Sequence, residues 1–402
     1  LNADSRPIRA LFINTRSRLG ADVAVHLQLI RSFDPAQCQV TLATNSRASD
    51  LDRTLQAVQE VPGLQIVTMN LGYELYGRGL LGRWIGAAGN ALALLWGVAR
   101  LTALIRSRQI DILHSTDRPR DALVSTLLAR LTGRRNLLHI HIKWTPYMGR
   151  ATQWAMKHCD AALAISQFVQ RSLREGGVPE EKIYTVLNAT DPGEFDPGKH
   201  SPGVFRARWK IAPQTPLLGI IARVMVWKGH LELIEALAKV RERFPQVHLA
   251  IVGEVDHLMS QGGESYYERL LRRIEELGLT ENVLWVGWQD EIPDVMADLD
   301  VICVPSVEEP FGLVITEAMA MERPVVGFAS GAQPEIITDG EDGLLVPAGD
   351  CDALAEALVR LLEDPPLRKR LGARARQTVI ERFSPSRQAR EMTAVYRALC
   401  RK

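Results

Sequence analysis

The sequence predicts an α/β protein built from two doubly wound, parallel-sheet domains. Three observations predict it. Short β-branched or apolar runs alternate with longer helical patterns along the whole chain. The runs are apolar almost throughout instead of at every second position, as expected of strands covered by helices on both faces. A segment dense in Pro, Gly and Asp, NATDPGEFDPGKHSPG (188–203), falls midway and reads as a linker.

In order, the strands of the first half are IRALFIN (8–14), QVTLATN (39–45), QIVTMN (65–70), DILHS (111–115), NLLHIHI (136–142), AALAIS (161–166) and IYTVLN (183–188). Those of the second half are LLGIIARV (217–224), VHLAIVG (247–253), NVLWVGW (282–288), VICVPS (301–306), PVVGFA (324–329) and GLLVPA (343–348). Residues 1–190 form one Rossmann-like domain and 191–382 a second. The stretch 383–402 reads as a capped amphipathic helix that belongs to neither repeat and crosses back to the first. Ligands of such sheets bind beyond the carboxyl ends of the strands, so two facing domains would hold one in the cleft between them. The stretch 83–108 is apolar over most of its length, but Arg100 breaks it too early for a membrane span. It reads as a core helix in preference to a membrane-surface helix.

With 402 residues, 46% of them hydrophobic, the chain can bury the cores of two or three domains. Its five cysteines, at 38, 159, 303, 351 and 400, include no C-x-x-C pair. That spacing argues against a structural zinc site and suits a reducing compartment, so a cytoplasmic location is expected. The net charge of +1 conceals an asymmetry: residues 1–190 carry 23 basic against 14 acidic side chains, and 191–402 carry 25 against 33. A basic first half is attracted to anionic surfaces. Nothing in the pattern suggests nucleic acid.

The stretch EEPFGLVITEAMA (308–320) raises the chemical question. A strand ends at Ser306, a turn runs through Pro310, Phe311 and Gly312, and a helix begins near Leu313. Glu309 and Glu317 stand eight residues apart around that start. Free N–H groups there suit a phosphate, and carboxylates accept hydrogen bonds from sugar hydroxyls. Capping accounts for one acid in a first turn, but not for the turn beside it.

SVEEPFGLVITEAMA (306–320) resembles the signature of family 4 of the retaining glycosyltransferases, which have the GT-B fold. RPVV (323–326), GAQPE (331–335) and GLLVPAGD (343–350) continue the resemblance. GIIARVMVWKGHLELIEAL (219–237) resembles the family's segment at the start of the second domain, and NATD (188–191) and SRLGADVAVHL (17–27) resemble its loops in the first. The likeness is strongest over 217–350.

The resemblance implies a hexosyltransferase that moves a sugar from a nucleotide-sugar donor, UDP- or GDP-linked, to a saccharide or lipid-linked acceptor. Arg223 and Lys228 match the family's positive pair and would neutralise the departing diphosphate. Glu309 would hold donor-sugar hydroxyls, the N–H groups of Phe311, Gly312 and Leu313 would approach sugar and phosphates, and Glu317 would bind the ribose. Gly20 would let the first loop come close to the diphosphate. The family often places a histidine where His141 stands; His139 points to the same side of the strand, and the choice between them stays open. His114 matches a common position with no chemistry assigned. No nucleophile is obvious, so attack from the face that the diphosphate leaves is the expected route to retention. No D-x-D motif stands at a strand end, and no metal or other cofactor is expected.

The basic first domain and the apolar stretch at 83–108 lean towards an envelope polysaccharide or glycolipid acceptor and peripheral association with the inner membrane face. A soluble acceptor stays open. A nucleotide-sugar epimerase of the same architecture is the alternative, though it would not need the acids at 309 and 317. A nicotinamide oxidoreductase would want G-x-G-x-x-G after the first strand, which NTRSRLG (14–20) does not supply. A binding-only protein would have no need of the four charged residues. Asn188-Ala189 replaces the family's Asn-Gly, and Gly20-Ala21 its Gly-Gly. GEVDHLMSQGGESYYERL (253–270) is longer than the usual turn and reads as a candidate lid.

Overall fold

A computed structural model describes residues 6–15, 21–47, 51–58, 61–71, 80–145, 148–255, 260–261 and 264–401; the side chains of 80–91 and of a few other residues lie outside that description. The chain divides into two compact units, Leu1–Asn188 with Pro385–Lys402, and Ala189–Ser384.

The first unit is a seven-stranded parallel sheet. Its strands are β1 (Ile8–Asn14), β2 (Cys38–Asn45), β3 (Gln65–Met69), β4 (Ile112–Thr116), β5 (Arg135–Ile140), β6 (Ala161–Ala164) and β7 (Ile183–Thr185), in spatial order β3-β2-β1-β4-β5-β6-β7. Helices α1 (Ala21–Ser32), α2 (Leu51–Val58), α3 (Leu80–Ser107), α4 (Pro119–Thr132), α5 (Gly149–His158) and α6 (Gln167–Glu175) link them. The apolar run of β1 shows why the strands are not amphipathic. Ala10 and Phe12 pack on one face with Val23, Leu27 and Tyr396, while Leu11 and Ile13 pack on the other with Leu101, Ile105 and Leu128. The strand order reverses between β1 and β4, the place where such sheets open a crevice at their carboxyl ends.

The second unit repeats the plan. It contains α7 (Val204–Arg208), β8 (Leu217–Ile221), α8 (His230–Arg243), β9 (His248–Val252), the short strands β10 (Ser260–Gln261) and β11 (Glu264–Ser265), α9 (Tyr266–Glu276), β12 (Val283–Gly287) and α10 (Ile292–Asp298). Then follow β13 (Val301–Val304), α11 (Leu313–Ala320), β14 (Val325–Phe328), α12 (Gln333–Ile336), β15 (Leu344–Val346), α13 (Cys351–Glu363) and α14 (Pro365–Arg382). Six strands form a parallel sheet in the order β12-β9-β8-β13-β14-β15, with the reversal between β8 and β13, and β10 and β11 make a separate hairpin. Residues 256–259 and 262–263 of the candidate lid lie outside the described residues. The last helix, α15 (Pro385–Arg401), belongs to the first unit, where Tyr396 is buried beside His114.

Two expectations need correction. The strand read through residue 142 ends at Ile140, because the His141 N–H turns away from the sheet to donate to Asp117 Oδ2, 3.2 Å away. The helix α3 is core on one face only. Leu101 and Ile105 are fully buried, but Leu92, Leu95 and Trp96 are 70%, 67% and 67% exposed. A run that is apolar all round cannot say which of its faces a sheet will cover. No described helix is long and apolar enough to cross a membrane.

Arg206 ties the entry of the second unit to its sheet. Its guanidinium donates to the carbonyls of Ala212, Thr215 and Asp298 and to Asp300 Oδ2. Removing a buried, fully bonded charge strands its partners. Arg206→Met should therefore lower stability by about 3 kcal/mol or more, read as a shifted urea midpoint for the second unit.

Candidate active site

In the second unit the site grows from the carboxyl ends of the two strands at the reversal. Past the end of β8, Arg223 lies exposed on a segment pinned by the Val224 N–H, which donates to the Glu254 carbonyl at 2.9 Å. A 3-10 turn, Val226–Lys228, follows and ends in Gly229 at φ 76°. A Cβ on Gly229 would stand 1.9 Å from the Pro305 carbonyl oxygen, so only glycine lets this turn lie against the end of β13. The turn thereby delivers Lys228 to Glu309, with Nζ 2.7 Å from Oε2 and 4.0 Å from the centre of the Trp227 ring.

Glu309 is 5% exposed. Its backbone is gripped from the other side, where the Ala332 N–H donates to its carbonyl at 2.8 Å. Gly331, at φ 63°, comes so near that a Cβ would lie 2.4 Å from the Glu309 N and O. The neighbouring Glu308 takes a left-handed φ of 55° and donates its N–H to Ser330 Oγ at 2.9 Å, a bend that directs the two acids differently.

Gly312 then caps α11. The Phe311 side chain is buried against Phe383, so a ligand meets only its backbone. In the first turn of α11 the Ile315 N–H donates to the Gly312 carbonyl at 2.9 Å, and N–H groups at a helix start are suited to an anion. Glu317 follows in the second turn. Part of its side chain is accessible, yet the protein packed around the carboxyl raises its pKa to about 7, with the charge of Glu194 adding to the effect. Cations, helix start and acceptor carboxylates at one strand-end edge can together hold a polyhydroxylated anion.

In the first unit, His141 stands just past β5. Burial lowers its pKa to about 4, opposed by the Asp22 charge, so the ring is neutral near pH 7. Its Nε2 has no hydrogen-bond partner among the described residues. His139, two residues earlier, is fully buried and faces His26 and His114, so of the two candidates His141 is the one at the strand end. Gly20 lies outside the described residues.

Two acids were missed from sequence. Asp117, which accepts from the His141 N–H, is buried, and this raises its pKa to about 7. Asp22 accepts from Arg118 Nε at 3.2 Å. The only signal for Asp117 was its place directly after DILHST (111–116); Asp22 gave none.

Two family profiles match this chain. Glycosyl transferases group 1 covers residues 204–378 and Glycosyltransferase Family 4 covers residues 23–194. The chain belongs to glycosyltransferase family 4. It is a glycosyltransferase of the GT-B type, and the epimerase alternative is not favoured. Among this family's characterised members, it is 25% identical over 307 residues to the N-acetyl-alpha-D-glucosaminyl L-malate synthase of Bacillus anthracis, covering 74% of this chain and 77% of that one. It is 35% identical over 237 residues to the trehalose synthase of Thermococcus litoralis, covering 58% of this chain and 55% of the relative. In fold, this family-4 chain is similar to Anabaena HepE, solved in complex with UDP, with a TM-score of 0.77 at 21% identity over 97% of this chain and all of that one.

The raised pKa of Glu317 has a consequence for stability. Its folded-state value lies above the ordinary carboxylate value. Ionisation therefore costs stability as pH rises from about 4.5 through 7, and no cost remains below that window. Glu317→Gln should stabilise the chain at pH 8, by at most about 3 kcal/mol, with the gain fading towards pH 5. Urea midpoints across that range measure it.

Proposed function

We propose that this glycosyltransferase is a retaining hexosyltransferase that moves a sugar from a UDP- or GDP-linked donor to a saccharide or lipid-linked acceptor, in the building of cell-envelope polysaccharide or glycolipid. The observation that carries the reading is the Lys228–Glu309 pair beside the start of α11. Without donor, the two charges neutralise each other. A donor offers each a better partner: its diphosphate takes Lys228, Arg223 and the helix N–H groups, and its sugar hydroxyls take Glu309. Glu317 accepts from the ribose. The UDP in Anabaena HepE supports a nucleotide donor for this chain also.

In the transfer step the bond from the anomeric carbon to the phosphate oxygen breaks, and its electron pair leaves with the nucleoside diphosphate. The acceptor oxygen bonds to the same face of that carbon, and its proton passes to the departing phosphate oxygen. Lys228 and Arg223 stabilise the charge that develops, a contribution of about 3 kcal/mol per well-placed donor. By the family resemblance, the neutral ring of His141 would serve the acceptor end of the reaction. On this reading no metal takes part. The exposed Leu92, Leu95 and Trp96, with Arg100 one turn further along α3, favour peripheral contact with the inner face of the cytoplasmic membrane, where a lipid-linked acceptor would lie.

Glu309→Gln should lower kcat by about 100-fold or more while leaving the affinity for nucleoside diphosphate within a few-fold; unimpaired turnover would sink the role given to Glu309. Arg223→Ala and Lys228→Ala should each weaken UDP or GDP binding by calorimetry, and unchanged affinity would return both to ordinary surface roles. Turnover should need no added divalent cation, and the product's anomeric coupling by NMR should match the donor's. An inverted product overturns the retaining assignment.

A further inference from the structure

We propose that His26, His114 and His139 of the first unit form a binding site for one transition-metal ion, with Zn2+ the preferred occupant. The three rings come from separate elements, α1, β4 and β5, and are at most 4% exposed. Their nitrogens converge: His26 Nε2 lies 3.1 Å, and His114 Nε2 3.2 Å, from His139 Nδ1. All three ligand atoms fall within 4.8 Å of one another. With zinc–nitrogen bonds of about 2.0–2.1 Å, neighbouring ligands of a tetrahedral ion stand roughly 3.3–3.4 Å apart, so two of the three edges are nearly formed.

Hydrogen bonding alone serves this cluster poorly. A neutral imidazole nitrogen offers either one N–H or one lone pair. His139 Nδ1 faces two other ring nitrogens, so only one can find its complement there, while His139 Nε2 is buried without a partner. A cation shared by three lone pairs resolves the conflict at Nδ1, while His139 Nε2 has no partner among the described residues with or without an ion.

The surroundings fit such an ion. Tyr396 Oη lies 2.5 Å from His114 Nδ1 and can accept its N–H, which leaves Nε2 as the ligand atom; ligating histidines are commonly oriented by such an outer hydrogen bond. Phe12 stacks on His114 with ring centroids 4.3 Å apart and holds that orientation. Burial lowers the pKa of all three histidines, so the rings are in the neutral, ligating form near pH 7. Asp22, one turn before His26 on α1, places a carboxylate near the positive charge. Three imidazoles favour zinc, copper, nickel or cobalt over magnesium or calcium. The ion would tie α1, β4 and β5 together and, through Tyr396, hold α15 to the same point.

The test uses the full chain without a histidine tag. After chelation and dialysis, ZnCl2 titrated by calorimetry should bind at about one equivalent per chain and raise Tm, since metal binding to a folded site is linked to folding. CoCl2 in its place should give visible d–d absorption of a low-coordinate nitrogen site. His26→Gln and His114→Gln should each abolish that absorption, whereas His248→Gln, at a histidine outside the cluster, should keep it. Absence of Co2+ absorption and of a Zn2+-induced Tm rise in the wild-type chain overturns the proposal, whether or not the variants fold. Absorption that persists in either His26→Gln or His114→Gln overturns it equally.

Discussion

A lysine and a glutamate 81 residues apart in sequence, held 2.7 Å from one another, organise the second unit's working edge. Glu309 is nearly buried, and a charge removed from water is tolerable only when paired. The pair exists because β8 and β13 are neighbours at the point where the strand order reverses, so the segments leaving their carboxyl ends must meet. A close backbone approach at Gly229 brings those segments within reach of each other, and a second at Gly331, past β14, holds Glu309 from the other side. An incoming anion with hydroxyl groups can take each charge from its partner without leaving either one bare. On the proposed function, that exchange would let a buried ion pair serve as a binding device.

The first unit manages its buried polarity differently. Asp121 accepts from the Thr15 backbone, from the Thr15 hydroxyl and from Thr116, and so locks the end of β1 to the start of α4. Asp117 and Asp22 are spent on the His141 backbone and on Arg118. The histidines are the exception, since four imidazoles stand together with fewer complementary contacts than their nitrogens require. A polar cluster in a core is costly unless satisfied, and a bound ion would satisfy part of this one.

Much of the fold was legible because a parallel sheet covered on both faces leaves a strong linear trace. Each of the thirteen apolar runs read as a strand is a strand. What the runs could not show was where a strand stops for a tertiary reason. β5 ends at Ile140 because Asp117 captures the next N–H, and an acid 24 residues earlier leaves no local mark. The exposed apolar face of α3 was hidden for a related reason, since its apolar residues occur all around the helix.

The sequence by itself determined the doubly wound architecture, the family and the acids that flank a helix start, because periodicity and short motifs are local properties of the chain. Only the tertiary structure decided that Lys228 partners Glu309, that crowding by protein raises the Glu317 carboxyl, and that His139 turns into the core while His141 stands past the strand. Each of these depends on which segments meet across the sheet. Pairing and desolvation act between residues far apart in the chain, and only folding brings them together.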